Sequence, residues 1–152
     1  MNKSLKISSC ALVILLTNFS CHLSLADTAN NLTKFDCTLT DQVNSDDQAG
    51  EEKSTFTTDT ARIYLVCSSD DVKQGQMINS QWIAADTNKV APPNYKIDEK
   101  SLQVPKNLND NQTFTTKFSL SKPNNGWPVG TYHVDIYVDG QLVKSVPFTI
   151  SK

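Results

Sequence analysis

Gly126-Trp127-Pro128-Val129-Gly130-Thr131-Tyr132-His133-Val134-Asp135-Ile136-Tyr137-Val138-Asp139-Gly140-Gln141-Leu142-Val143-Lys144-Ser145-Val146-Pro147-Phe148-Thr149-Ile150 reads as two strands joined by a turn. Tyr132, Val134, Ile136 and Val138 share one parity, and Thr131, His133, Asp135 and Tyr137 take the other, the period of two of a half-buried strand. Asp139-Gly140 marks the turn, and that dipeptide first suggests a two-residue type I′ hairpin. Such a turn would set Ile136 opposite Val143, away from the face of Leu142, Val146, Phe148 and Ile150. A three-residue loop, Val138 to Gly140 with Gly140 left-handed, keeps the apolar residues on one face, with Ile136 opposite Leu142. Burial of one face sets register, so the longer, bulged turn is expected, with Lys144 left in the inward series.

Working back from the hairpin, the same alternation recurs. Phe35, Cys37 and Leu39 alternate with polar residues; Ala61, Ile63, Leu65 and Cys67 share one parity; Ile78, Trp82 and Ala84 follow on a third strand. Ile97 to Val104 is a weaker strand expected at an edge, and Phe114, Thr116, Phe118 and Leu120 alternate with Thr and Lys. Asp86 to Asn94, with Pro92-Pro93, must be irregular, because proline removes ladder donors. Asp41 to Lys53 carries five acids against one lysine and is expected to be a mobile acidic loop. Its acids lack the spacing of an EF-hand calcium loop. About seven short strands separated by turn signals, with no helical periodicity, predict an all-β antiparallel sandwich.

The start of the chain reads as an export signal. Lys3 and Lys6 precede an apolar run from Ile7 to Leu16, and Ser24-Leu25-Ala26 supplies small residues at −3 and −1. The run is far shorter than the roughly 20 residues of a membrane span. Cleavage is expected after Ala26, leaving residues 27–152 as a single domain in the periplasm or outside the cell. Lipoprotein processing before Cys21 is the weaker alternative, because Asn18-Phe19-Ser20 lacks the usual upstream aliphatic residue.

Loss of Lys3 and Lys6 leaves fewer than the original 14 basic side chains against all 16 acidic ones. An acidic domain of this kind has no basic footprint for nucleic acid. Cys10 and Cys21 leave with the signal, so Cys37 and Cys67 remain, an even number in an oxidising compartment. Both fall in the inward series of their strands, and a structural disulfide is expected.

The order of features resembles the immunoglobulin-like fold. Cys67 stands on one strand, Trp82 on the next, and Gly130-Thr131-Tyr132-His133-Val134 looks like a tyrosine corner, which implies a phenol bonded back to the backbone before its strand. In antibody domains the second cysteine lies two residues after that tyrosine; here Val134 holds the position, so any bridge must tie the first two strands instead. More closely, Pro128-x-Gly130-x-Tyr132-x-Val134-x-Ile136, then Gly140 and Phe148-x-Ile150, is similar to a class of small exported bacterial immunoglobulin-like domains. That class is largely uncharacterised, so the resemblance implies a fold and no functional residues.

The catalytic inventory is thin. His133 is the single histidine left after signal removal, so any Cys-His or Ser-His-Asp arrangement would have to use that one ring. Asp135 fits an exposed strand face and Asp139 a turn better than a glycosidase pair. Arg62 is the single arginine, there is no phosphate-binding glycine loop, and no cofactor motif occurs. The expectation is a non-enzymatic module that binds another macromolecule, protein or glycan. Ile83, His133, Tyr137 and Val143 would share one outer sheet face, a candidate partner surface. Tyr95 and Trp127, each beside prolines, form a second patch that could stack on sugar rings, although Trp127 better suits a lid over the core. The alternatives are therefore a carbohydrate-binding module and a protease inhibitor presenting the Asp86–Asn94 loop, whose prolines would pre-order a bound strand.

Overall fold

The computed structural model describes residues 33–152. The export signal, its cleavage site at Ala26 and the alternative at Cys21 lie outside the described residues. Eight strands are present: β1 (Asp36–Thr40), β2 (Thr55–Thr57), β3 (Arg62–Ser69), β4 (Met77–Asp86), β5 (Tyr95–Gln103), β6 (Phe114–Ser121), β7 (Gly130–Val138) and β8 (Gln141–Ser151). They form a three-stranded sheet, β1-β3-β6, and a five-stranded sheet, β2-β8-β7-β4-β5. This is an immunoglobulin-like β-sandwich. The strand beyond the expected seven is β2, whose three residues pair parallel to the end of β8. A strand that short has no periodicity to read; its one inward residue is the buried Phe56.

Elsewhere the alternating residues face where their parity places them, except Ala61, which precedes β3 and is exposed. Ile63, Leu65 and Cys67 of β3 meet Ile78, Trp82 and Ala84 of β4 and Tyr132, Val134 and Ile136 of β7 in one core. Phe148 anchors its aromatic centre. The ring stacks on Tyr132 at 5.2 Å between centroids and meets Phe56 and Trp82 edge-on, arrangements that aromatic quadrupoles favour. Cys37 and Cys67 stand directly opposite in the β1–β3 ladder, Cα atoms 4.1 Å apart, and are joined as a disulfide. The bridge lies within one sheet, between neighbours, and does not tie the two layers. Tyr132 closes the corner expected of it: its hydroxyl donates to Pro128 O at 2.6 Å.

The β7–β8 turn corrects the sequence reading. Val138 pairs with Gln141, so the loop has two residues, and both Asp139 (φ 48°) and Gly140 (φ 82°) are left-handed, as in a type I′ turn. Register is restored further on by a bulge, for Tyr137 faces Leu142 while Ile136 faces Lys144. Val143 is the extra residue. The tight turn is held by Asp139, whose carboxylate accepts from Met77 N at 2.9 Å and Gln76 Nε2 at 3.0 Å.

The segment expected to be a mobile acidic loop closes into a small hairpin. Val43 bridges Ala49, and the Asn44 side-chain carbonyl accepts from the backbone N–H groups of Asp46 and Gln48, the local bonding that favours asparagine in turns. Lys53 pairs with Asp41 at 2.7 Å, and Asp47 reaches across to Lys117 on β6.

Candidate functional site

The outer face of the five-stranded sheet follows from its registers. Ile83 of β4 stands opposite His133 of β7, which stands opposite Pro147 of β8. Two residues away in each strand, Gln81 faces Asp135 and Asp135 faces Ser145; beyond them Asn79 faces Tyr137, which faces Leu142. The face therefore holds two apolar clusters, Ile83/His133/Pro147 and Tyr137/Leu142 with the neighbouring Met77, separated by a polar row. Met77 and Leu142 are among the most exposed large apolar side chains of the described residues.

Ile83, His133 and Tyr137 are thus brought together as expected, whereas Val143 packs, half-buried, against the core. The two-residue turn is the reason: it sets Leu142 opposite the outward Tyr137 and Val143 level with the inward Ile136, reversing the expected faces of both, and the bulge then keeps Val146 and Phe148 inward. Leu142 is the face residue that sequence reasoning missed. Reading Asp139-Gly140 at its simplest, as a two-residue turn, would have found it.

Asp135, expected to be exposed, is 92% buried in the polar row. Ser145 Oγ donates to its Oδ1 at 2.6 Å, and His133 Nε2 lies 3.5 Å from its Oδ2. Serine, aspartate and histidine meet here in an order that does not activate a nucleophile. In a hydrolytic triad the imidazole stands between hydroxyl and carboxylate and takes the hydroxyl proton. Here the carboxylate stands in the middle, and the serine hydrogen is committed to it. On the same face Lys96 and the Asn79 amide bond to Glu99 and hold its carboxyl below the usual glutamate value.

Tyr95 and Trp127 also meet, around a separate apolar cavity of about 150 Å³ at the loop end of β4, bounded by Ala84, Ile97, Pro123 and Tyr132. Their exposures differ sharply: Tyr95 is 52% exposed and Trp127 only 3%. The Trp127 indole N–H donates to Thr60 O at 2.7 Å, which fixes the ring as a lid over the core and withdraws its face from a stacking role. The Asp86–Asn94 loop is knotted rather than extended. Asn88, Lys89 and Asn94 all have positive φ, and Thr87 Oγ1 accepts from Ala91 N. A substrate-like inhibitor segment needs extended backbone, which this loop lacks. Among the described residues no group of three or more His, Cys, Asp or Glu is arranged to hold a metal ion, and no helix is long and apolar enough to cross a membrane.

No family model matches the chain, nor does any curated protein. Solved structures resemble it in shape. An alkylpurine DNA glycosylase from Pseudomonas fluorescens aligns at 12% identity and a TM-score of 0.49, over 80% of this chain and 31% of that one. An immunoglobulin-like protein from Pseudomonas aeruginosa aligns at 8% identity and a TM-score of 0.48, over 80% of this chain and 99% of that one. A β-glucosidase from Listeria innocua aligns at 8% identity and 0.47, over 79% of this chain and 16% of that one. The chain thus spans about a third of the glycosylase and a sixth of the β-glucosidase. What those proteins bind or cleave belongs to them, and likenesses this distant carry no function across.

Proposed function

We propose that this chain is a non-enzymatic, exported immunoglobulin-like module that binds another protein through the outer face of its five-stranded sheet. The observation that carries this reading is the pair of apolar clusters on one open face, Met77/Tyr137/Leu142 and Ile83/His133/Pro147, flanking the buried Asp135 carboxylate. Apolar anchors around a desolvated polar group are how protein interfaces concentrate their binding energy. The Ser145–Asp135–His133 order supports a structural role for that carboxylate. The Cys37–Cys67 bridge is consistent with the oxidising compartment that export would reach.

Crosslinking of the native protein in the cell envelope, read by mass spectrometry, tests the reading. Wild-type protein is expected to crosslink a partner through this face, and the double variant Tyr137→Ala, Leu142→Ala to lose it. Leu142 is exposed and Tyr137 partly buried, and the two stand opposite each other across β7 and β8, so the variant should stay folded and lose about 1–2 kcal/mol. Retention of the same partners by the folded variant would rule the face out.

A further inference from the structure

The two sheets are unequal, and the smaller one ends in a strand paired on one side only. β6 ends the three-stranded sheet. It pairs with β3 over all eight residues, Ser69↔Phe114 through Arg62↔Ser121, with no break in register. On its other side, none of its backbone N–H or C=O groups finds a partner among the described residues. Exposed strand edges are templates for pairing, and proteins normally blunt them with charges, prolines, bulges or coverings.

Each remaining edge is blunted in one of those ways. β1 is closed in part by Lys53 N donating to Leu39 O. β2 has three residues, and its Thr57 N is taken by Thr60 Oγ1. The free part of β8 carries the Val143 bulge and Pro147. β5 carries Lys96, Asp98, Glu99 and Lys100, and a bulge disturbs its pairing with β4. β6 has one charge, Lys117, already paired with Asp47.

The inward side of β5, in the other sheet, is also uncovered; Asp98 and Lys100 stand on it opposite Trp82 and Ser80 and pair with each other, between the apolar residues. Tyr95 pairs with Ala84 and Leu102 with Ile78, so both sit on the core side of the sheet. Tyr95 is nevertheless exposed, and Ile97 and Leu102 are only partly buried, because no strand lies above them. The apolar cavity opens at the head of this strip, between Tyr95 and Pro123, the second residue beyond β6, and no charged residue lines it.

We propose that the free edge of β6 is a strand-addition site for an extended, uncharged segment of a partner protein, with one aliphatic side chain of that segment seated in the cavity beside Tyr95 and Trp127. Added strands gain affinity from main-chain bonds and specificity from alternate side-chain pockets. Charge argues against a second copy of this chain as the occupant. Any antiparallel β6–β6 register centred on the strand that keeps inward residues inward puts the two Lys117 side chains opposite or diagonal to each other, which is unfavourable. This site is separate from the outer face of the five-stranded sheet and stands or falls without it.

The test uses capped peptides matching the length of β6, alternating threonine with valine and carrying leucine at each valine position in turn. They are titrated into the isotope-labelled protein and followed by amide and indole NMR shifts. The expected result is binding by one leucine register, with shifts confined to the amides of Phe114–Ser121 and the Trp127 indole. N-methylation of that peptide on its pairing side should weaken binding at least about ten-fold, since it removes main-chain bonds and keeps the side chains. Ala91→Trp, which fills the cavity, should weaken it by a similar factor while the rest of the spectrum stays unchanged. The proposal is overturned if no peptide shifts β6 at about 1 mM, or if the N-methylated peptide binds equally well. It is also overturned if the shifts fall on Ile83 and His133, or if β6 shifts with protein concentration alone.

Discussion

Gly130 shows how one position can be held by a contact from far along the chain. A Cβ placed there would lie 2.1 Å from Asp86 O and 2.9 Å from Thr87 Cα, both backbone atoms that cannot swing aside. Gly130→Ala should therefore cost about 3 kcal/mol, read as a fall in the urea midpoint, because β4 or β7 must shift to admit the methyl group. Ser80 runs the other way. Its hydroxyl is wholly buried and finds no partner among the described residues, so Ser80→Ala should raise stability by about 1 kcal/mol in the same assay. Tyr132 adds a pH dependence. Burial pushes its phenol up to about 12 from an ordinary 10.0. The folded chain thus keeps a proton that the unfolded chain gives up, so this contribution is whole below pH 10 and declines as pH rises toward 12. Tyr132→Phe removes the ionisation, and its stability should fall less over that interval than the wild type's. Equal slopes would show that the phenol is not the group responsible. The sequence displays Gly130 and Tyr132 as a motif, but the reason for the glycine lies in the Asp86 carbonyl, which no local pattern reveals.

At the scale of strands, alternation was the dependable signal. It placed Phe35, Cys37 and Leu39, then Ile63, Leu65 and Cys67, on the inward side, and so brought the two sulfurs face to face. Joined across β1 and β3, they close a separation of 30 residues. Cys37→Ser with Cys67→Ser should lower stability by about 3–4 kcal/mol on the chain-entropy account. Thiol titration of unreduced, denatured wild type should find neither mature cysteine free. Alternation failed where the strand was not regular. Demanding one unbroken apolar face along β8 led to the longer turn, whereas the chain makes the tight turn that Asp139 and Gly140 favour and swallows the surplus residue at Val143. Lys144 stays in the inward series, opposite Ile136, on the part of β8 that no further strand covers. β2 was illegible for the opposite reason: one phenylalanine between two threonines has no period, and its strand character comes from the neighbour it joins.

For the molecule as a whole, the registers of β4, β7 and β8 decide which surfaces exist. Ile83 and His133 could be placed together from the sequence because both positions follow from parity and from the fold the motif resembles. Leu142 and the burial of Asp135 could not, since both depend on side chains arriving from three strands at once. The cavity beside Tyr95 was legible only as two aromatic residues near prolines, and the structure separates their roles into an open ring and a closed lid.

The placement of the sulfur bridge also governs how this protein would respond to being pulled. Tension entering at Thr33 passes through Cys37 into Cys67 and so into the middle strand of the small sheet, bypassing everything between them, β2 included. A chain stretched to full length in an optical trap would therefore come up short by about 100 Å, the reach of the residues inside the covalent ring. Adding a reductant to the stretched molecule would release that hidden length in one step.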